Sequence, residues 1–296
     1  MIWRIIKPLL VFLKIWKEKK EEIIDDEIII NIPITVDTDK YEDKEPIEVL
    51  TEEIEKEQCE KVDIKDNLNK KNLVIFRIGH GLDTIGKETP KLDDGTIVKE
   101  YQLNKWIVEK AIPMVEDLGY ESVIANPYDY EGIDEIKALN VVIGHINRIT
   151  LEAQAKGKKV ICIDVHCNAH QPNPKKIEFT NASGTVSFFW KRIVTDKNGE
   201  QKIQYSKEGE KLAIAIHKEM VEVTGLPDRA WSFDRSKAVG WNYMVLRKTL
   251  CPSVTVECAF MTNRKDLGFL MSSGGKRLCA KAITTGINNY FIAQNK

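Results

Sequence analysis

An excess of charge of either sign is missing from this chain, in which 44 Lys and Arg stand against 45 Asp and Glu. Without a basic surplus there is nothing to neutralise a phosphate backbone, so nucleic acid is not an expected partner. Cysteine is sparse, and its spacing is unhelpful. Cys59, Cys162, Cys167, Cys251, Cys258 and Cys279 contain no CxxC pair, and several sit inside apolar runs such as VICIDVHC and VTVECAF. That pattern excludes a zinc–thiolate cluster and a disulfide framework, and it points to a chain folded in a reducing compartment. Long uncharged hydrophobic runs are also lacking. The stretch MIWRIIKPLLVFLKIWKEKK is apolar, but Arg4, Lys7, Pro8 and Lys14 interrupt it. No segment there reaches the roughly 20 residues that a membrane-spanning helix needs. No small-residue cleavage site follows it, so no cleavable signal peptide is expected. No internal repeat is visible.

What is present divides the 296 residues into three parts. Residues 1–20 read as an amphipathic helix, with Arg4, Lys7, Lys14 and Lys17 loosely on one side and Ile, Leu, Phe and Trp around the rest. Such a helix suits a membrane interface, or docking on this chain's own body or another copy. Residues 21–71 are dense in Glu, Lys and Asp and read as a solvated linker or extension in which IIINIPITV could form a strand. From residue 72 to 296 the composition is that of a compact globular domain.

That domain alternates between two periodicities. LVIFRI, ESVIANP, KKVICIDVHCN and SVTVECAFMTN read as strands. GTVSFFW adds another, and KRIVTDKNGEQKIQY reads as a hairpin turning at Asn198-Gly199. EYQLNKWIVEKAIPMVEDLGY reads as a helix closed by Gly119, with a kink expected at Pro113. EIKALNVVIGHINRITLEAQAKG, EGEKLAIAIHKEMVEVTG and GKRLCAKAITTGINNYF read as further helices. The predicted class is α/β, a single twisted, largely parallel or mixed sheet flanked by helices. Functional groups in such folds gather at the carboxyl ends of strands.

The polar residues at those ends form a set. His80, within LVIFRIGHGL, ends the first strand between two glycines, which would let the chain bring an imidazole up to a metal without steric cost. His166 ends KKVICIDVHCN. Glu100 opens the first long helix, and Glu257 lies near the end of SVTVECAF, where a carboxylate makes little sense as packing. Only five histidines exist in the chain. Two His and one Glu make a catalytic zinc set with a fourth position open, and a further carboxylate would carry the proton transfer that hydrolysis requires.

These residues also carry a resemblance. Gly79-His80-Gly81, Glu100 with Asn104, Asp164-Val165-His166-Cys167-Asn168, and Glu257 with Phe260 and Asn263 resemble, in order, the motifs of the zinc-dependent N-acetylmuramoyl-L-alanine amidases. More narrowly they look like the catalytic domains of phage endolysins and related wall-lytic enzymes. The resemblance implies one zinc ion held by His80, Glu100 and His166, with Glu257 as catalytic acid/base. It implies hydrolysis of the amide between the lactyl group of N-acetylmuramic acid and L-alanine, with peptidoglycan as partner. Arg148, Asn168 and Arg247 fall near family positions that contact substrate. One position departs from the family pattern: Asp164 stands where a small serine is usual, on the same strand face as His166. Two other readings are compatible with the residues, a zinc peptidase of carboxypeptidase type and an inactive wall-binding module. The expected location is synthesis in the cytoplasm and action on the wall. Release when the membrane opens, or peripheral attachment through residues 1–20, would provide the route.

Overall fold

A computed structural model describes residues 72–294 of the chain, apart from residues 83, 126–134, 174 and 235–236. The amphipathic helix expected at residues 1–20 and the charged extension at 21–71 lie outside the described residues. Seven strands form one sheet: β1 (Leu73–Ile78), β2 (Glu121–Ile124), β3 (Val160–Asn168), β4 (Val186–Thr195), β5 (Gln201–Tyr205), β6 (Val239–Trp241) and β7 (Ser253–Phe260). The order is β2-β1-β3-β7-β4-β5, with β6 paired to β4. β2, β1, β3 and β7 run parallel, β4 is antiparallel to β7 and to β5, and β6 is parallel to β4. The sheet is therefore mixed, as the alternation of strands and helices predicts.

Seven helices complete the described residues: α1 (Glu100–Asp117), α2 (Glu135–Ala155), α3 (Lys207–Thr224), α4 (Arg229–Asp234), α5 (Met244–Lys248), α6 (Arg264–Met271) and α7 (Ser273–Ala293). Strand alternation sends side chains to two cores. Val74, Phe76, Ile78, Ile163 and Val256 pack with Leu103 and Ile107 of α1, Leu212 and Ile216 of α3, and Ile283 and Phe291 of α7. Leu73, Ile75 and Cys162 pack on the opposite face with Val142 and Ile146 of α2 and with Val245 and Leu246 of α5. Burial on both faces explains why these strands read as unbroken apolar runs. Truncating a wholly buried ring such as Phe76 or Phe291 to alanine would cost about 3–5 kcal/mol.

Chain punctuation follows local chemistry. Gly119 and Gly157 follow α1 and α2 with φ of 85° and 73°. Gly225 ends α3 in the left-handed region, where its lack of a Cβ carries no penalty. Ser206 opens α3 by accepting from the Gly209 N–H. Pro113 sits inside α1, which continues through it to Asp117, and its ring faces solvent. The hairpin turns at Asn198-Gly199 as expected, but GTVSFFW and KRIVT form one continuous strand, β4, where the sequence reads as two segments.

Candidate metal centre

The parallel strands β1, β3 and β7 end together, and their registers set the centre. Arg77 pairs with Asp164, Asp164 with Thr255, and His166 with Glu257. All of these lie on the face that begins with Ile75 and Cys162. Glu100 arrives from the other side, at the first residue of α1. Its N–H donates to the Lys87 carbonyl (2.9 Å), and the Gln102 side chain accepts from the Lys99 N–H (3.0 Å) to fix the helix start.

The tip of β1 requires one glycine for contact reasons. A Cβ on Gly79 would lie 2.4–2.6 Å from three atoms of the His166 ring, so glycine is what lets the two strand tips approach. Asn104 then donates to the Gly79 carbonyl (3.1 Å), and the Gly79 N–H donates to the Val165 carbonyl (2.9 Å). The left-handed residue is His80 itself, at φ 62°. The flanking glycines suggest backbone freedom at the two neighbours, but the left-handed backbone belongs to His80, and strain of this kind is common at ligand-binding positions.

His80, Glu100 and His166 converge so that one donor atom from each lies within 4.8 Å of the others. His166 Nδ1 is 3.0 Å from Glu100 Oε1, and His80 Nε2 is 3.4 Å from Glu100 Oε2. A tetrahedral zinc ion holds its nitrogen and oxygen donors about 3.4 Å apart, so both His–carboxylate separations suit that ion. The imidazole rings meet edge to face at 89°, with centroids 4.9 Å apart. The side chains of His80 and His166 keep 11% of their surface exposed, which leaves the centre open to solution.

Asp164 supports this set from behind. Its Oδ1 lies 3.2 Å from His166 Nε2 and accepts from Arg77 at 2.5 Å, and its Oδ2 accepts from the Thr255 hydroxyl at 3.0 Å. Arg77 Nη1 also comes within 3.1 Å of His166 Nε2. A carboxylate on the far nitrogen of a ligating imidazole fixes its orientation and raises its basicity. Here that leaves Nδ1 to face the centre.

The surrounding carboxylates favour a protonated His166, whose Nδ1 proton a bound metal ion would have to displace. Burial works against the charge on Asp164, but Arg77 and then His166 hold its carboxyl well below the usual range. Burial likewise opposes protonation of His166, yet Asp164 and Glu100 together push it up to about 10. His80, buried with weaker compensation from Glu100, falls to about 3. Glu257 is pushed up to about 7, chiefly by burial; His166 opposes that rise, and Glu100 and Asp164 add to it. Among the described residues its buried Oε2 has no hydrogen-bond partner. A buried, unsatisfied oxygen on a carboxyl with a raised pKa marks Glu257 as a candidate functional group.

The structure thus brings His80, Glu100, His166 and Glu257 together. It does not gather Arg148, which lies exposed on α2 and pairs with Glu152 at 3.1 Å. Asn168 ends β3, where its side-chain oxygen accepts from the Ala169 N–H. Arg247 ends near the shelf formed by Trp190 and Asn242, donating to Asn242 Oδ1 at 3.4 Å. Asn263 caps α6, accepting from the Lys265 and Asp266 N–H groups. Sequence reasoning did not single out Arg77, Thr255 or Tyr243. A charged residue inside the apolar run LVIFRI was the available signal for Arg77, but only the strand register pairs it with Asp164.

Comparison with known proteins agrees with this geometry. Residues 74–289 match the family model described as N-acetylmuramoyl-L-alanine amidase. An uncharacterized cell wall amidase of Bacillus anthracis is 30% identical over 141 residues, which are 48% of this chain and 23% of that protein. The chain therefore spans less than a quarter of that relative's length. Among solved structures, the CwlD amidase of Clostridioides difficile, in complex with the GerS lipoprotein, is similar with a TM-score of 0.54 and 19% identity, covering 75% of this chain and 100% of that one. The catalytic domain of CwlV, an amidase of Bacillus (Paenibacillus) polymyxa, has a TM-score of 0.54 and 17% identity, covering 75% and 98%. At such identities the two structures establish the shared fold.

Proposed function

Because the chain belongs to the N-acetylmuramoyl-L-alanine amidase family, we propose that it hydrolyses the amide joining the lactyl group of N-acetylmuramic acid to L-alanine in peptidoglycan. His80, Glu100 and His166 would hold one zinc ion. The observation that carries this reading is their convergence beside Glu257, whose buried Oε2 has no hydrogen-bond partner among the described residues.

When bound, zinc supplies Lewis-acid activation of water and of the scissile carbonyl. Everything else falls to the chain. Asp164 holds the His166 ring in place, and Gly79 leaves room for it. Glu257, with a carboxyl titrating near neutrality, takes a proton from the attacking water. It then delivers that proton to the alanine nitrogen as the carbon–nitrogen bond breaks, a general base turned general acid. The products are a free lactyl carboxylate on the glycan and a stem peptide with a new L-alanine amino terminus.

The proposed role is wall lysis by a protein made in the cytoplasm. The five free cysteines among the described residues, all buried, support folding in a reducing compartment. Contact of residues 1–20 with a membrane surface belongs to the same proposal.

The test is Glu257→Gln. This variant is expected to bind zinc with wild-type stoichiometry while stem-peptide release falls by at least about a hundredfold. Normal release by this variant would remove Glu257 from the reaction.

A further inference from the structure

At the end of the sheet away from β2, β5 pairs only with β4 among the described residues. The ladder between them fixes which backbone groups are engaged. The Ser206 N–H donates to the Trp190 carbonyl (3.0 Å), and the Asp196 N–H donates to the Glu200 carbonyl (2.9 Å). Both bonds lie in the register that sets Lys191 opposite Tyr205 and Ile193 opposite Ile203. Hydrogen-bonded pairs alternate along an antiparallel ladder, so Lys202 and Gln204 also turn their N–H and carbonyl groups toward β4. Gln201, Ile203 and Tyr205 therefore turn theirs outward, to the open edge.

The same three side chains share one face of the hairpin. There Ile203 and its cross-strand partner Ile193 are 59% and 62% exposed. Tyr205 continues the strip inward, its ring 6.4 Å from that of the buried Phe189. The opposite face is polar and satisfied: Arg192 Nε donates to Gln204 Oε1 (2.5 Å), and the guanidinium lies over the Trp190 ring. A lysine on an edge strand commonly guards it against pairing, but Lys202 is itself 3.6 Å from Asp196.

This edge is complementary to itself. When a second β5 is set antiparallel about Ile203, Ile203 meets its own copy, Lys202 meets Gln204, and Gln201 meets Tyr205. The whole strand pairs, the outward N–H and carbonyl groups match, and no like charges oppose. Shifting the register by two residues one way sets Lys202 against its own copy, which is destabilising. The opposite shift leaves only Ile203, Gln204 and Tyr205 paired. In the register about Ile203, the exposed isoleucines of both copies join into one apolar strip across four strands.

We propose that the β5 edge, Gln201–Tyr205, joins two copies of this chain into one continuous sheet, antiparallel and in register about Ile203. The two-fold axis stands perpendicular to the sheet, so the carboxyl ends of the parallel strands point in opposite directions in the two copies. β4 lies between β5 and β7, so the joint leaves Glu257 and the metal set uncovered. So short an edge lies at the small end of interface sizes, and the association is accordingly weak and reversible. The inference is independent of the reaction assigned to the centre.

The experiment is sedimentation velocity of the full chain from micromolar to millimolar concentration, with amide hydrogen exchange resolved by residue at both ends of that range. Monomer is expected to convert to dimer as concentration rises, with exchange slowing at Gln201, Ile203 and Tyr205. Lys202 and Gln204, bonded to β4, are expected to be protected throughout. Ile203→Lys places two charges at the axis, and Ile203→Pro removes an N–H that the single chain does not use. Each is expected to weaken dimerisation by at least about tenfold, with circular dichroism and zinc content unchanged. If one variant does not fold, the other decides, and exchange in the wild type needs neither. A monomer at every concentration would overturn the proposal. So would a dimer that both variants leave intact, or one that forms without slowing exchange at the three outward amides. Protection of those amides at every dilution would show the edge already covered within a single chain, which equally overturns it.

Discussion

Replacing Asp164 by asparagine separates two things that one carboxylate does. Its Oδ1 neutralises Arg77 at 2.5 Å and faces His166 Nε2 at 3.2 Å, while Oδ2 accepts from Thr255 at 3.0 Å. The amide keeps the shape but loses the charge, and it can offer only one of those positions as an acceptor. Arg77, with 11% of its side chain exposed, then becomes a nearly buried cation without a counter-ion. Breaking one partner of such a pair costs about 3–5 kcal/mol. Removing the carboxylate that orients a ligating imidazole costs about 10–100-fold in metal affinity. Urea unfolding of the zinc-free protein measures the first loss, and competition with a chromogenic zinc chelator measures the second. A double variant, Arg77→Met with Asp164→Ser, removes both charges. It is expected to recover much of the stability while leaving zinc affinity low. Asp164→Asn with unchanged unfolding and unchanged zinc affinity would refute this account. Full recovery of zinc affinity in the double variant would show that Asp164 only balances Arg77 and does not position His166.

Three other outcomes are expected. Gly79→Ala puts a methyl group 2.4–2.6 Å from atoms of the His166 ring, so zinc affinity should fall by about tenfold or more while the circular dichroism spectrum is preserved; unchanged affinity would show that the strand tips can separate freely. Burial disfavours the charge on Asp228, but the Trp231 N–H and His217 outweigh it and hold the carboxyl below its usual range. Its stabilisation is therefore present above the unfolded carboxyl pKa of about 4 and is lost as pH falls through the folded value. The Tm gap between wild type and Asp228→Asn should accordingly narrow from pH 6 to pH 3, and a constant gap would contradict the assignment. Removal of residues 1–20 is expected to abolish sedimentation with anionic liposomes, and equal binding by both forms would discard the membrane contact.

Much of the centre is legible in the sequence because its ligands sit at the ends of strands with strong composition signals. LVIFRI and VICIDV are apolar enough to read as buried strands, so a histidine at each tip stands out, as does Glu257 within SVTVECAF. The supporting residues are less visible for a physical reason. Arg77 and Asp164 are 87 positions apart, and their pairing depends on a β1–β3 register that no local pattern specifies. The helices α4, α5 and α6 span 6, 5 and 8 residues, too short for helical periodicity to show. β6 has three residues and is held by its partner strand. Tyr243 depends on both, since it follows β6 and caps α5, so its packing against Phe188 emerges only once the chain is folded. Glycines flanking His80 suggest backbone freedom at the neighbours, whereas the fold assigns the left-handed conformation to His80 and a contact role to Gly79. Sequence alone shows which residue is a glycine, not what approaches it.

Digestion of purified peptidoglycan by the zinc-loaded protein, with the products resolved by mass, tests the central claim most directly. The account predicts peptide-free glycan strands and stem peptides with new L-alanine amino termini, both abolished by a chelator and restored by zinc. Cleavage within the stem peptide would make the centre a peptidase, and zinc bound at His80, Glu100 and His166 without any cleavage would contradict the proposed reaction.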